Sequence, residues 1–122
     1  MKQIVITRQK RFSGSLIKYY CVLNLSKKDF QKHVGMQESL SLGFKSRFLS
    51  ESGQIFPIAN GESISIEISE QENTLFVVAF TSAGRAFSNQ IRVCADDPAS
   101  SYSLKTKIGL TTHGLYLVKD NV

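Results

Sequence analysis

The chain has 122 residues, 42% of them hydrophobic, with fifteen basic and ten acidic side chains and a formal charge of +5. That length suits one domain, and this apolar content can build a core without disulfide or metal staples, which excludes a disordered tail. The longest uninterrupted apolar stretch, Leu75 to Phe80, is about a third of what a membrane-crossing helix needs, so no transmembrane helix is expected.

At the start, Ile4-Val5-Ile6 is an apolar run too short for a signal-peptide core, and no secretion signal is expected. Gln3 to Thr7 and Leu16 to Leu23 are short strand candidates. Ser26-Lys27-Lys28-Asp29 then has the form of a helix start, with a serine cap and an acid at the third helical position. Phe30 and Val34 would share one face of that helix, and Gly35 would end it. Leu40, Leu42, Phe44 and Phe48 alternate with polar residues as the next strand.

Gln54 to Ile58 is followed by Asn60-Gly61, a pair suited to the positive φ angles of a two-residue hairpin. The hairpin would face Pro57 toward Ile64, and proline cannot donate to a ladder, so this strand is expected at an edge. Ile64, Ile66 and Ile68 alternate with Ser65, Glu67 and Ser69, giving a strand with one wet face. After a polar connection at Glu70 to Asn73, Leu75 to Phe80 is apolar at every position and is expected to be covered on both faces. Ser82 to Arg85 links it to a strand within Ala86 to Ala95, so residues 54 to 95 read as a four-stranded meander. Asp96 to Ser100 is a surface loop, Tyr102 to Ile108 alternates as an amphipathic strand, His113 lies in a loop, and Leu115 to Val118 is the last strand.

About nine short strands with at most one short helix predict an all-β fold, a single domain spanning residues 1–122. Strands with one wet face each favour an antiparallel β-sandwich of about 8–9 strands over a small barrel.

Several of these features resemble small bacterial β-sandwich domains of the PEGA-like kind. The matching residues are Arg8, Lys10, Arg11, Phe12 and Gly14, then Tyr20 to Asn24, then Asn60-Gly61-Glu62 with Ile64, Ile66 and Ile68. The chain departs from that pattern in about thirty extra residues between Asn24 and Gln54 and in a tail beyond Asp97. The resemblance implies a non-catalytic module.

No nucleotide-binding, serine-hydrolase, metalloprotease or paired-cysteine motif occurs in the chain. Cys21, Cys94, His33 and His113 lack the close pairing of structural zinc ligands, so neither a metal site nor a Cys–His nucleophile pair is expected, and no cofactor. The two cysteines read as small core residues of a cytoplasmic protein. Asn24-Leu25-Ser26 matches the glycosylation pattern by chance. Glu62, Glu67, Glu70 and Glu72 read as a solvated acidic edge.

Charge is unevenly spread. Residues 1 to 35 hold Lys2, Arg8, Lys10, Arg11, Lys18, Lys27, Lys28 and Lys32 against Asp29 alone, whereas residues 50 to 73 hold five glutamates and no base. Blocks of opposite sign suit contact with a protein partner, including a second copy of the chain, and the expected function is a non-catalytic binding or scaffolding module. The alternative partner is nucleic acid, with Arg8, Lys10, Arg11 and Lys18 on phosphates and Phe12, Tyr19 or Tyr20 stacked on bases. Arg8, Lys10 and Arg11 read as exposed residues of a polar stretch whose replacement leaves the fold intact.

Overall fold

The computed structural model describes residues 2–10, 17–33, 47–48, 53–68, 71–81, 84–98, 100–108 and 113–120. They form strands β1 (Lys2–Arg8), β2 (Lys18–Leu23), β3 (Arg47–Phe48), β4 (Gln54–Ile58), β5 (Ser63–Ile68), β6 (Glu72–Thr81), β7 (Gly84–Phe87), β8 (Ile91–Cys94), β9 (Ser101–Ile108) and β10 (His113–Lys119). The helix α1 (Lys27–His33) follows β2. No helix among the described residues is long and apolar enough to cross a membrane.

The fold is all-β, in two sheets. One has the strand order β10-β9-β1-β5, and the other the order β3-β4-β2-β6-β7, with β8 also paired to β6. Alternation decides what each strand buries. Ile4 and Ile6 of β1, Ile66 and Ile68 of β5, Tyr102 and Leu104 of β9, and Leu115 and Leu117 of β10 point inward. They join one buried cluster with Tyr19, Cys21 and Leu23 of β2 and Leu75, Val77 and Ala79 of β6. The two sheets thus share a core, as a sandwich requires.

The opposite face of β2 and β6 is buried too. Tyr20, Val22, Phe76 and Val78 form a second cluster with Ile55, Leu25 and Phe30. Phe30 comes from α1, and its ring meets Phe76 and Phe87 edge-on at centroid distances of 6.0 and 6.4 Å. The double coverage expected of Leu75 to Phe80 is therefore present. Ser26 caps the helix, its Oγ accepting from the Asp29 N–H at 3.0 Å. Val34 and Gly35 lie outside the described residues, as does the expected Leu40 strand apart from Arg47–Phe48.

Several sequence expectations are corrected. Asn60-Gly61 turns the chain but makes no hairpin: β4 pairs with β2, whereas β5 crosses to the other sheet and pairs with β1. Glu62 N–H bonds to the Ala59 carbonyl at 2.9 Å, and of the two turn residues only Gly61 has positive φ, at 76°. That is the pattern of a type II turn, which serves as the corner between sheets. The four-stranded meander accordingly does not form. Pro57 faces Tyr20 of β2, and β3 reaches only Gln54 and Ile55, so the proline stands on a stretch of β4 with no described strand on its other side.

The sheets are not wholly antiparallel either. β1 and β9 run parallel, with Val5 beside Ser101 and Arg8 beside Leu104, because β9 re-enters this sheet after the chain has crossed from the other. The single strand expected within Ala86 to Ala95 is two, β7 and β8, split at Ser88. Ser88 donates its N–H to the Val77 carbonyl and accepts the Val77 N–H on its Oγ, both at 2.8 Å, so a side chain substitutes for a ladder carbonyl. Glu72 and Asn73 belong to β6 rather than to a turn, and His113 opens β10 rather than lying in a loop. Pairing with β8 and β9 supplies their backbone partners.

Gly61 gives the corner a direct test. A Cβ there would lie 3.1 Å from the Lys10 Cβ, on a backbone that L residues resist. Gly61→Val is expected to lower unfolding stability by about 1–2 kcal/mol or more, read from urea midpoints. An unchanged midpoint would mean that the corner is not strained.

Candidate interaction surfaces

The four residues chosen from sequence part company. Arg8 ends β1 with 3% of its surface exposed and donates from Nη1 to the Ile58 carbonyl at 3.0 Å. Its guanidinium lies 3.6 Å from the centroid of the Tyr19 ring. Burial lowers its pKa from the usual arginine range, opposed by Tyr19. Arg8 therefore fastens the ends of β1, β2 and β4 at the corner and faces inward, so replacing it by glutamate would strike the fold rather than an exposed stretch. Lys10 is exposed and its stem packs over Gly61, Lys18 is exposed at the start of β2, and Arg11 lies outside the described residues.

Tyr19 and Tyr20 are both buried, in opposite clusters, and neither offers a stacking face. Phe12 lies outside the described residues.

The remaining basic residues divide in the same manner. Lys2 donates to the Asp97 carbonyl, and Lys119 pairs with the Asp97 carboxylate at 3.0 Å, fastening the start of β1 and the end of β10 to the loop before β9. The Asp97 hydrogen bond raises the Lys119 pKa. Asp120 accepts from Ser101 and Ser103 at 2.6 Å each, which hold its carboxyl below the usual range. By contrast, Lys28 and Lys32 project from α1, and Lys18, Phe80 and Arg85 lie side by side across β2, β6 and β7. Lys27 sits 5.6 Å from the Phe87 ring, and Arg85 sits 5.4 and 5.8 Å from the rings of Phe80 and Phe30. These cations make a basic surface on the helix side of the second sheet, with the aromatic rings beneath it already faced by cations.

The cysteines occupy strands, Cys21 buried in β2 and Cys94 half-buried in β8, both as free thiols. Burial pushes the Cys21 thiol up to about 12. Asn24, of the glycosylation-like triplet, donates its Nδ2 to Asn73 at 3.0 Å and accepts the Thr74 N–H at 3.1 Å, so its amide is engaged at the end of β2.

Sheet edges differ in how they are closed. On β10, the Asn89 side chain accepts the Leu117 N–H at 2.8 Å and donates to the Leu117 carbonyl at 3.1 Å, occupying that edge as a strand would. The edge formed by β7 and β8 is interrupted at Ser88, and β4 carries Pro57. β5 has none of these devices. The Arg8 N–H bonds to the Glu62 carbonyl, which fixes the phase of the ladder: Ile64, Ile66 and Ile68 bond to β1, and the backbone groups of Ser63, Ser65 and Glu67 point away from it. Their side chains are exposed, and among the described residues no hydrogen bond reaches those outward groups.

Comparison with known protein families, with curated proteins and with solved structures found no match. The β5 edge escaped the sequence, although its alternation marked Ser65 and Glu67 as wet, because strand alternation does not reveal the neighbouring strand.

The buried thiol yields a pH test. Ionised at its ordinary 9.0 when unfolded and held up to about 12 when folded, Cys21 keeps its proton longer in the native state. Its contribution to stability is therefore full below pH 9 and declines as pH rises above it, by up to about 1.4 kcal/mol per pH unit. Urea midpoints at pH 8, 9.5 and 10.5 should fall more steeply for the wild type than for Cys21→Ala, and equal slopes would contradict the burial.

Proposed function

We propose that this chain is a non-catalytic binding module that works through protein–protein contacts, receiving an extended partner segment along β5. The observation that carries this reading is the row of outward backbone groups at Ser63, Ser65 and Glu67, on a strand that carries no lysine or proline and that no other described strand than β1 pairs with. Strand addition draws its affinity from main-chain hydrogen bonds and its selectivity from alternate side chains. Here those side chains are two serines and a glutamate, which favour a polar or basic partner face. The resemblance to PEGA-type domains points to a module of the same non-catalytic kind. Two free thiols suit a cytoplasmic setting.

Ser65→Pro removes an outward N–H that no described residue accepts, and proline is tolerated on edge strands. Against an array of extended peptides, the wild type is expected to retain a subset that the Ser65→Pro variant loses, with the circular dichroism of the two unchanged. Equal retention by both proteins would defeat the reading.

The basic surface of α1 and β7 supports a second reading, binding of nucleic acid. Lys18, Lys27, Lys28, Lys32 and Arg85 stand there against Asp29. If phosphates occupy it, affinity for a labelled single strand at about 50 mM salt falls log-linearly with rising salt, and Lys27, Lys28 and Lys32 together changed to Glu abolish it. Absence of a fluorescence anisotropy change at that salt would remove this reading.

A further inference from the structure

We infer that the basic surface of α1, β2 and β7 takes a single strand of nucleic acid by its phosphate backbone, with no base stacked on the protein. This rests on the second reading above and goes beyond it in naming the part of the ligand that is recognised. Of the five cations, Lys18, Lys28 and Lys32 are exposed, and Lys27 and Arg85 are half-buried. The register places Lys18, Phe80 and Arg85 on one face of three neighbouring strands, so the two cations stand about 10 Å apart across β6. Lys28 and Lys32 lie one helical turn apart on α1. Four of the five are lysines, point charges that suit a phosphate and lack the fork with which arginine engages a carboxylate in two bonds. Cations carried on a helix and on a sheet call for an anionic chain that can bend, and a single strand supplies one.

Stacking needs a ring with a face to offer, and the rings of this surface are already engaged. Tyr20, Phe30 and Phe76 are fully buried. Phe80 is enclosed by the rings of Tyr20 and Phe30, at centroid distances of 5.3 and 6.5 Å, and by the Arg85 guanidinium at 5.4 Å. Phe87 has Phe30 at 6.4 Å, Phe76 at 6.0 Å and the Lys27 ammonium at 5.6 Å. These rings hold cations in place and do not receive bases. An anionic membrane is the other partner that a basic helix can serve, but such a helix sinks its apolar face into the headgroup layer. The apolar residue of α1, Phe30, is fully buried against Phe76 of β6 and Phe87 of β7, so the fold itself uses the face that a membrane would need. Each phosphate neutralised on a single strand contributes about 0.7 to the log–log salt slope, so five contacts set its limit at about 3.5.

Fluorescence anisotropy of the wild-type chain with three labelled strands of equal length, oligo-dT, oligo-dA and an abasic strand, tests this at about 50 mM salt and upward. Expected are dissociation constants that agree within about twofold for all three strands, and a common salt slope no steeper than about 3.5. Lys28→Gln together with Lys32→Gln, both exposed on α1, should make that slope shallower by about 1.4. An abasic strand that binds about fivefold or more weakly than oligo-dT or oligo-dA means that bases stack, which overturns the inference and leaves the second reading standing. A double variant that keeps the wild-type slope overturns both, because the phosphates then lie elsewhere. Failure of all three strands to bind also overturns both, and so does binding only to phosphatidylserine vesicles run alongside.

Discussion

Everything in this fold is arranged around a strand that has no wet face. From Leu75 to Phe80 β6 is apolar at every position, and its side chains alternate between two clusters, Leu75, Val77 and Ala79 on one side and Phe76 and Val78 on the other. Each such side chain contributes about 1.5–3 kcal/mol when buried, so neither face can be left to water. The sheet of β1, β5, β9 and β10 covers one face. The other is covered by α1, whose two turns are too short to persist alone and are held through Phe30 packed on Phe76 and Phe87. A helix of modest propensity thus exists because a sheet needs covering.

Covering both faces of β6 requires the chain to pass between sheets, and each passage interrupts a ladder. Polar side chains make up the missing partners. Ser88 stands in for a ladder carbonyl beside Val77, Asn89 occupies the edge of β10 at Leu117, and Asn24, at φ 57°, bonds Thr74 with both its backbone and its amide. At the corner between β4 and β5, Arg8 does the corresponding work with a charged group, capping the Ile58 carbonyl and lying on Tyr19. Buried polar groups are affordable only when so engaged. The exceptions are the hydroxyls of Tyr102 and Thr106 on the inward side of β9, which are buried without a hydrogen-bond partner among the described residues.

Charge that is contiguous along the chain is dispersed in space. Of the basic residues between Lys2 and Lys32, Arg8 turns inward, Lys2 reaches the Asp97 carbonyl, Lys10 packs over Gly61, and Lys18, Lys27, Lys28 and Lys32 lie on the helix side of the second sheet. There they are joined by Arg85, which is distant in sequence. Glu72, from the acidic segment, meets Arg92, which lies outside the basic block. Blocks of opposite sign along the sequence therefore do not translate into two opposed faces.

Local periodicity was enough to determine the all-β class, the positions of most strands, the cap at Ser26 and the need to bury β6 twice, because each depends on residues within a few positions of one another. It also marked Ser65 and Glu67 as solvent-facing. What it could not decide was partnership. Asn60-Gly61 permits a hairpin and a sheet-to-sheet corner alike, and only the pairing of β4 with β2 and of β5 with β1 selects the corner. The same long-range pairing makes β1 and β9 parallel, draws Arg8 inward and leaves β5 as the last described strand of its sheet. Side-chain alternation has a period of two within one strand, whereas an edge is defined by the absence of a second strand, and that is settled only when the whole chain packs.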